Sequence, residues 1–337
     1  MLKVRWAAGL FLAFLAVFLS LDFGPIPIMP QYVIRSLLYA ARLSSKPPEL
    51  YWEIIYYLRL PRVILALVVG AALALGGTSV QAIFRNPMAE PYVIGISSGA
   101  ALGASLAIAF PFLEAYEYGL QLMAFLFSLL SVLLVYGLAR SVSYSSSVGT
   151  PAGVLLLSGV AVSLLFGALS SFLLYTKASQ RPEVIFWLLG SLSGANWQEL
   201  PLVTGIVLAC SLALFLFRRE LDALSLGEEE AHYVGVNVRT AKWFVLSVTA
   251  LMVASAVSVS GLIGFVGLMI PHMARMTFGS AHKVLLPASA LMGAIFLLLC
   301  DDVARTAMAP LEIPIGIITA LIGVPFFFLL MKGSLKR

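Results

Sequence analysis

Charge is what this sequence has least of. Only 11% of its 337 residues are Asp, Glu, Lys or Arg and 61% are hydrophobic, against about 25% and 45–50% in ordinary soluble domains. With a mean hydropathy of +1.01, a soluble globular chain is excluded. Cysteine is scarce too. Cys210 and Cys300 each sit inside an apolar run, where a thiol behaves as a small hydrophobe, so neither a disulfide framework nor a thiolate metal site is indicated. Short alternating segments are missing, which argues against a transmembrane barrel. Also missing is a Gly-x-x-x-x-Gly-Lys-Ser/Thr phosphate loop, so the chain has no such means of hydrolysing ATP itself. Lys3 and Arg5 precede an apolar stretch from Trp6 to Leu21 without a small-x-small cleavage signature. It therefore reads as a retained first helix rather than a signal peptide.

What fills the chain is uncharged runs of the length a helix needs to cross roughly 30 Å of hydrocarbon. They cover 6–21, 63–84, 92–113, 118–139, about 150–175, 200–217, 284–300 and 313–331, with a longer run from 243 to about 274. That last run is too long for one crossing, and Ser258 to Gly264 divides it into a normal helix and a short one. The fold class expected is all-α: a polytopic membrane protein of about ten transmembrane helices forming a single domain over 1–337. The stretch 184–198, with two Gly, Asn196 and Gln198, reads as interfacial or re-entrant. An even count puts both termini on one side. With both termini cytoplasmic, thirteen of the 21 basic residues fall inside, giving net charges of +7 inside and −2 outside. This obeys the positive-inside rule apart from Arg35, Arg42 and Lys46 in the outer loop 24–60. The basic excess is thus explained by membrane orientation, and no nucleic-acid partner is implied.

Four features stand out from the apolar background. Arg218 to Lys242 is the one long charged stretch; Ser225 is expected to cap a short helix led by Glu228, Glu229 and Glu230, and Gly235 to end it in a left-handed cap. Leu221, Leu224, Leu226, Val234 and Val236 among these charges favour a protein docking surface over a solvated linker. Arg85-Asn-Pro-Met-Ala-Glu-Pro91 is a rigid turn between glycine-rich helices, because each proline fixes its own φ and pushes the preceding residue to extended geometry. Asp301 and Asp302, with Arg305 at helical spacing, invite an aspartyl catalytic reading, but no facing carboxylate cluster accompanies them. An i, i+4 Asp–Arg pair at the outer interface is the better account. Finally, Gly261 to Arg275 carries Pro271 and His272 in a glycine-rich context. A lone His reads as a packing residue, and the spans lack the buried carboxylates that ion-coupled transporters use.

Five stretches, in order, carry a resemblance: Arg59-Leu-Pro-Arg62, Arg85 to Ala100 (RNPMAEPYVIGISSGA), Ser225 to Ala231 (SLGEEEA), Gly264 to Arg275 (GFVGLMIPHMAR) and Leu311 to Phe327 (LEIPIGIITALIGVPFF). The chain resembles the FecCD-type permeases of ABC importers, which take up iron–siderophores, haem, cobalamin or oxyanions such as molybdate. The resemblance implies type II importer architecture, a multi-pass protein of the inner cell membrane, and pairing with a second copy of itself. It further implies two ATP-binding cassette subunits, which would hold ATP and Mg while this chain binds no cofactor or metal, and a substrate-binding protein outside. Those ATPases would meet a coupling segment at 219–240, with Leu226, Gly227, Glu228, Glu229 and Gly235 in contact. Acidic knobs of the binding protein would meet Arg59, Arg62 and Arg305, whose planar forks suit carboxylates. A cytoplasmic gate would be formed by Asn86, Met88 and a stretch ending at Ala152 and Gly153. No catalytic residue is implied. The substrate stays open between a metal chelate and an oxyanion such as molybdate or tungstate, with an ion-coupled secondary transporter as the remaining alternative.

Overall fold

A computed structural model of the chain describes residues 2–24, 26, 28–110, 118–142, 152–177 and 183–334. Of the second gate stretch expected near 147–153, only Ala152 and Gly153 lie inside the described residues. Among them all regular structure is helical. The helices are α1 (Leu2–Asp22), α2 (Pro30–Ala40), α3 (Glu49–Glu53), α4 (Leu60–Phe84), α5 (Ile96–Ala109), α6 (Gly119–Val142), α7 (Ala152–Lys177) and α8 (Glu183–Leu188). They continue with α9 (Leu200–Leu216), α10 (Arg218–Leu226), α11 (Glu228–Tyr233), α12 (Val238–Ser260), α13 (Val266–Phe278), α14 (His282–Thr306) and α15 (Ile315–Ser334). α3 runs through a π-helical turn, Ile54–Arg59, directly into α4.

Among the described residues six helices are long and apolar enough to cross a bilayer, and a seventh arises if α9 and α10, bent by 60°, count as one span. The expected ten is reached only if α5, α13 and α15 also cross. α5 and α13 are short, at 14 and 13 residues, or about 20 Å each at 1.5 Å per residue. The loop 24–58 holds two helices the sequence did not suggest. Stretch 184–198 has one six-residue helix, α8, followed by irregular chain.

α4 is the central strut, buried along most of its length. In lipid, helices associate by close backbone approach, and small residues permit it. A Cβ on Gly70 would lie 2.2 Å from the Gly293 carbonyl of α14, and one on Gly77 would lie 1.8 Å from the Gly267 carbonyl of α13. These two crossings set how α14 and α13 sit on α4.

The short helices exist because two segments of non-helical chain turn back into the bundle. α12 ends at Ser260; Gly261 at φ 65° and Phe265 at φ 68° then break the helical path before α13 starts. The break falls within the Ser258–Gly264 region marked by its glycines. After α4 ends at Arg85, in left-handed geometry, Pro91 returns beside Gly76, about two turns back along α4. Unpaired peptide groups cost several kcal/mol in hydrocarbon, and here side chains satisfy them. The Tyr92 hydroxyl donates to the Ile263 carbonyl at 2.9 Å and accepts from the Ile263 N–H at 3.1 Å. The Glu90 carboxylate accepts from the Phe265 N–H at 2.7 Å, ahead of α13. The turn 90–92 thus clamps the linker 263–265.

Candidate functional site

Two charged clusters occupy opposite ends of α14. At the C-terminal end, α1, α4 and α14 bring together three arginines that lie far apart in sequence. Arg62 is bidentate to Asp301, with its Nε 3.1 and 3.0 Å and Nη2 2.9 Å from the carboxylate oxygens, and its Nη1 bonds both Glu312 oxygens at 2.9 and 3.0 Å. Asp301 is fully buried, whereas the Glu312 side chain is 40% exposed. Arg62 therefore bridges a buried carboxylate to an open one. Arg305 is buried and bonds the Ser20 carbonyl, the Ser20 hydroxyl and Asp302. Its expected i, i+4 partner Asp301 is 3.8 Å from its Nε, because Arg62 claims that carboxylate first. Arg59 is buried as well; its guanidinium donates to the carbonyls of Leu21 and Asp22 at 2.7 Å and of Ile26 at 2.5 Å. The three arginines converge, but Arg59 caps the end of α1 and Arg305 is held inside. Only Arg62, through Glu312, reaches the exposed edge.

At the N-terminal end of α14 lies the charged segment. Here Ser225 does not cap: α10 runs on to Leu226, and the Ser225 hydroxyl donates within that helix to the Asp222 carbonyl at 2.7 Å. Gly227 is the N-cap of α11 and has no side chain with which to bond. Gly235, at φ 87°, ends α11 as the sequence suggested. The Val236 N–H reaches the Ala231 carbonyl at 2.9 Å and the Gly235 N–H the His232 carbonyl at 3.0 Å, a left-handed cap of Schellman type. Glu228 is paired inside the chain, its carboxylate 2.5 Å from Lys242 Nζ. The open face of the segment is instead Leu226 (72% exposed), Glu229, Tyr233 (85%) and Val234. Asp222 also turns inward. It accepts from His282 at both the backbone N–H, 2.8 Å, and Nδ1, 2.7 Å. Burial raises the Asp222 carboxyl pKa, but these bonds and the His282 charge outweigh it and bring the group below its ordinary value.

The proline turn is ordered by its own side chain, since Asn86 Oδ1 accepts the Met88 N–H at 2.9 Å. Asn86 and Met88 are both exposed; Gly153 is exposed and Ala152 partly so. α7 packs onto this region where Gly159 meets the Val93 carbonyl. A cavity of about 610 Å³ opens beside the clamped linker, walled by Leu262, Gly264, Phe265, Ile317, Leu321 and Val324 among others. No group of three or more His, Cys, Asp or Glu suited to a metal occurs among the described residues.

Sequence reasoning found the arginines but missed Glu90, Tyr92, His282 and Lys242 as pairing residues. Their partners lie 14 to 175 residues away, and no spacing rule connects them.

Apolar helices crossing on glycine, a charged segment at one end and carboxylate-held arginines at the other define a multi-pass membrane permease. The chain matches the FecCD transport family over residues 12–333 and belongs to it. It is 44% identical over 303 residues to the cobalamin import system permease protein BtuC of Halobacterium salinarum, covering 90% of this chain and 79% of that one. With the molybdate import system permease protein MolB of Haemophilus influenzae it shares 39% identity over 338 residues, covering 99% and 96%. A solved structure assigned to the metal-chelate type of ABC transporter, in an inward-facing conformation, superposes with a TM-score of 0.84 at 37% identity, covering 98% of this chain and 99% of that one. The protein is a permease subunit of an ABC importer, and ATP is hydrolysed by a separate subunit.

Proposed function

We propose that the chain is one half of a homodimeric permease that passes a metal chelate inward, with both termini and the segment 219–240 in the cytoplasm. Two partner ATPases, holding Mg and ATP, dock there, and a substrate-binding protein docks at the arginine cluster outside. The observation that carries the substrate class is the likeness along nearly the whole chain to a metal-chelate type transporter. An apolar-walled cavity beside the clamped linker suits a bulky ligand whose selection rests with the binding protein. The molybdate permease relative, aligned over 99% of this chain, supports oxyanion passage as the second reading.

Reconstitution tests this. Proteoliposomes holding permease and ATPase, offered binding protein loaded with cobalamin, ferric citrate or molybdate, are expected to accumulate a chelate only with ATP inside. Uptake of molybdate alone selects the second reading, and uptake driven by an ion gradient without ATPase refutes both. Leu226→Ala with Tyr233→Ala should cost ATPase association about 2 kcal/mol or more, because exposed apolar anchors dominate such interfaces; unchanged co-purification would remove this face from the docking surface.

Docking at the arginines predicts an unusual sign. Glu312 already occupies the open side of Arg62, so Glu312→Ala should free that guanidinium and speed capture of an acidic-knobbed binding protein several-fold at low salt, an advantage lost as salt rises. Surface plasmon resonance on nanodiscs measures it. Slower or salt-independent capture would return Arg62 to a purely internal role like those of Arg59 and Arg305.

A further inference from the structure

α14 begins without a cap of its own. Its N-cap residue, Ala281, makes no side-chain hydrogen bond, and the first helical N–H groups normally need an acceptor. Asp222 supplies one from 60 residues away in sequence, taking both the backbone and the ring N–H of His282. A carboxylate at a helix N-terminus also meets the positive end of the helix dipole. His282 is buried at this joint, and Leu221 and Leu224 on the same helix as Asp222 are buried too. α10 is therefore fastened to the end of α14 rather than lying loosely beneath it.

From that joint α14 runs 25 residues, and at 1.5 Å per residue Asp301 and Arg305 lie about 29 and 35 Å along it. Along the way it is seated on α4 by reciprocal backbone contact: a Cβ on Gly293 would lie 2.4 Å from the Gly70 carbonyl, as one on Gly70 would from Gly293. Helices in such contact do not slide past each other without separating. Beyond Pro287, the proline inside α14, that helix and α4 are thus held as one body, and movement applied at His282 reaches the other end only as the pair moves together.

We propose that the Asp222–His282 pair is the joint through which ATPase binding to the α10–α11 segment is transmitted along α14 to the Arg62–Asp301–Arg305 cluster. Asp222 and His282 are positioning residues that touch neither nucleotide nor substrate. The proposal rests on the importer reading of both ends. It requires coupling to depend on the bond itself and not on the packing of the two side chains.

The test uses the whole transporter in nanodiscs, permease with ATPase and loaded binding protein. Its variants are His282→Leu, Asp222→Ala, the two combined, and His282→Asn, whose amide can still donate to Asp222. The Asp222 side chain is 44% exposed, so its truncation opens no internal cavity even if His282→Leu fails to fold. All variants are expected to keep the ATPase subunit on purification. The stimulation of ATP hydrolysis by binding protein should fall about 2- to 30-fold in either single variant, the range seen for coupling residues. It should fall no further in the double variant than in Asp222→Ala, which removes both the ring and the backbone bond where His282→Leu removes the ring bond alone, and should return in His282→Asn. Full stimulation in the single variants, additive losses, no recovery in His282→Asn, or loss of the ATPase subunit would each overturn the joint. If the unaltered transporter shows no stimulation by binding protein, it is the importer reading that fails.

Discussion

Replacing Asp301 with Ala is expected to be the most destabilising single change at the charged ends of this protein. Its carboxylate is fully buried and is the inner partner of Arg62, with Arg305 beside it. Breaking a buried pair by removing one member costs about 3–5 kcal/mol; here Arg62 keeps Glu312 on its Nη1 side and Arg305 keeps Asp302, so a loss at the lower end, about 3 kcal/mol, is expected. Glu312 cannot take over, as it already holds Arg62 Nη1 from the open side. Asp301→Asn keeps the shape and one acceptor but loses the charge, so it should fall between Ala and the natural residue. Thermal unfolding in detergent, followed by fluorescence, should rank the three in that order. An Asp301→Ala protein as stable as the unaltered one would show that the cluster holds the fold less than its geometry implies.

The second large effect lies where α4 meets α13. Gly77→Ala places a Cβ 1.8 Å from the Gly267 carbonyl and 2.6 Å from the Gly267 Cα. The atoms struck are backbone on both sides, so no rotamer change relieves the clash and the helices must part. Overpacking typically costs 1–3 kcal/mol and more where the neighbour cannot yield, so a loss of at least about 3 kcal/mol is expected at this crossing. The displacement would also drag α13 from the Glu90 and Tyr92 clamp, so uptake should fall even in protein that still inserts. Gly137 is the control. A Cβ there meets nothing within 4 Å, and Gly137→Ala should be neutral or mildly stabilising because alanine is the better helix former. Melting and uptake measured for both variants decide the matter: equal behaviour would mean that backbone contact on α4 is not what seats α13.

How much of this was legible in the sequence follows from which forces are local. Long spans such as α6 and α12 were readable because twenty uncharged residues have few other fates, and the break after Ser260 showed through its glycines. α2 was not readable: Pro30–Ala40 carries Gln31 and Arg35 among its apolar residues, and no run of crossing length announces it. The short α13 was expected from the break at 258–264, but the half-length of α5 was hidden. The apolar run 92–113 looks continuous, and only the clamp made by residues 263–265 pulls its first residues out of the helix. Among site residues, Arg59, Arg62 and Arg305 were found by type and resemblance, but their division of labour was not. Whether an arginine faces outward or caps a carbonyl depends on what lies beside it in space, as with Leu21 beside Arg59. Ser225 shows the converse error: a good capping residue stayed inside α10 because the buried Leu221 and Leu224 carry that helix one turn further than its polar residues suggest.

The way α1 is fastened also has a bearing on how the chain is made. Its last carbonyls are bonded by Arg59, and Ser20 near the same end is held by Arg305, 285 residues later. Synthesis proceeds from the N-terminus, so when α1 reaches the bilayer neither arginine exists. It gains the first only as α4 enters and the second only once α14 has followed. α1 thus waits for α4 and then for α14 before both of its fastenings are in place.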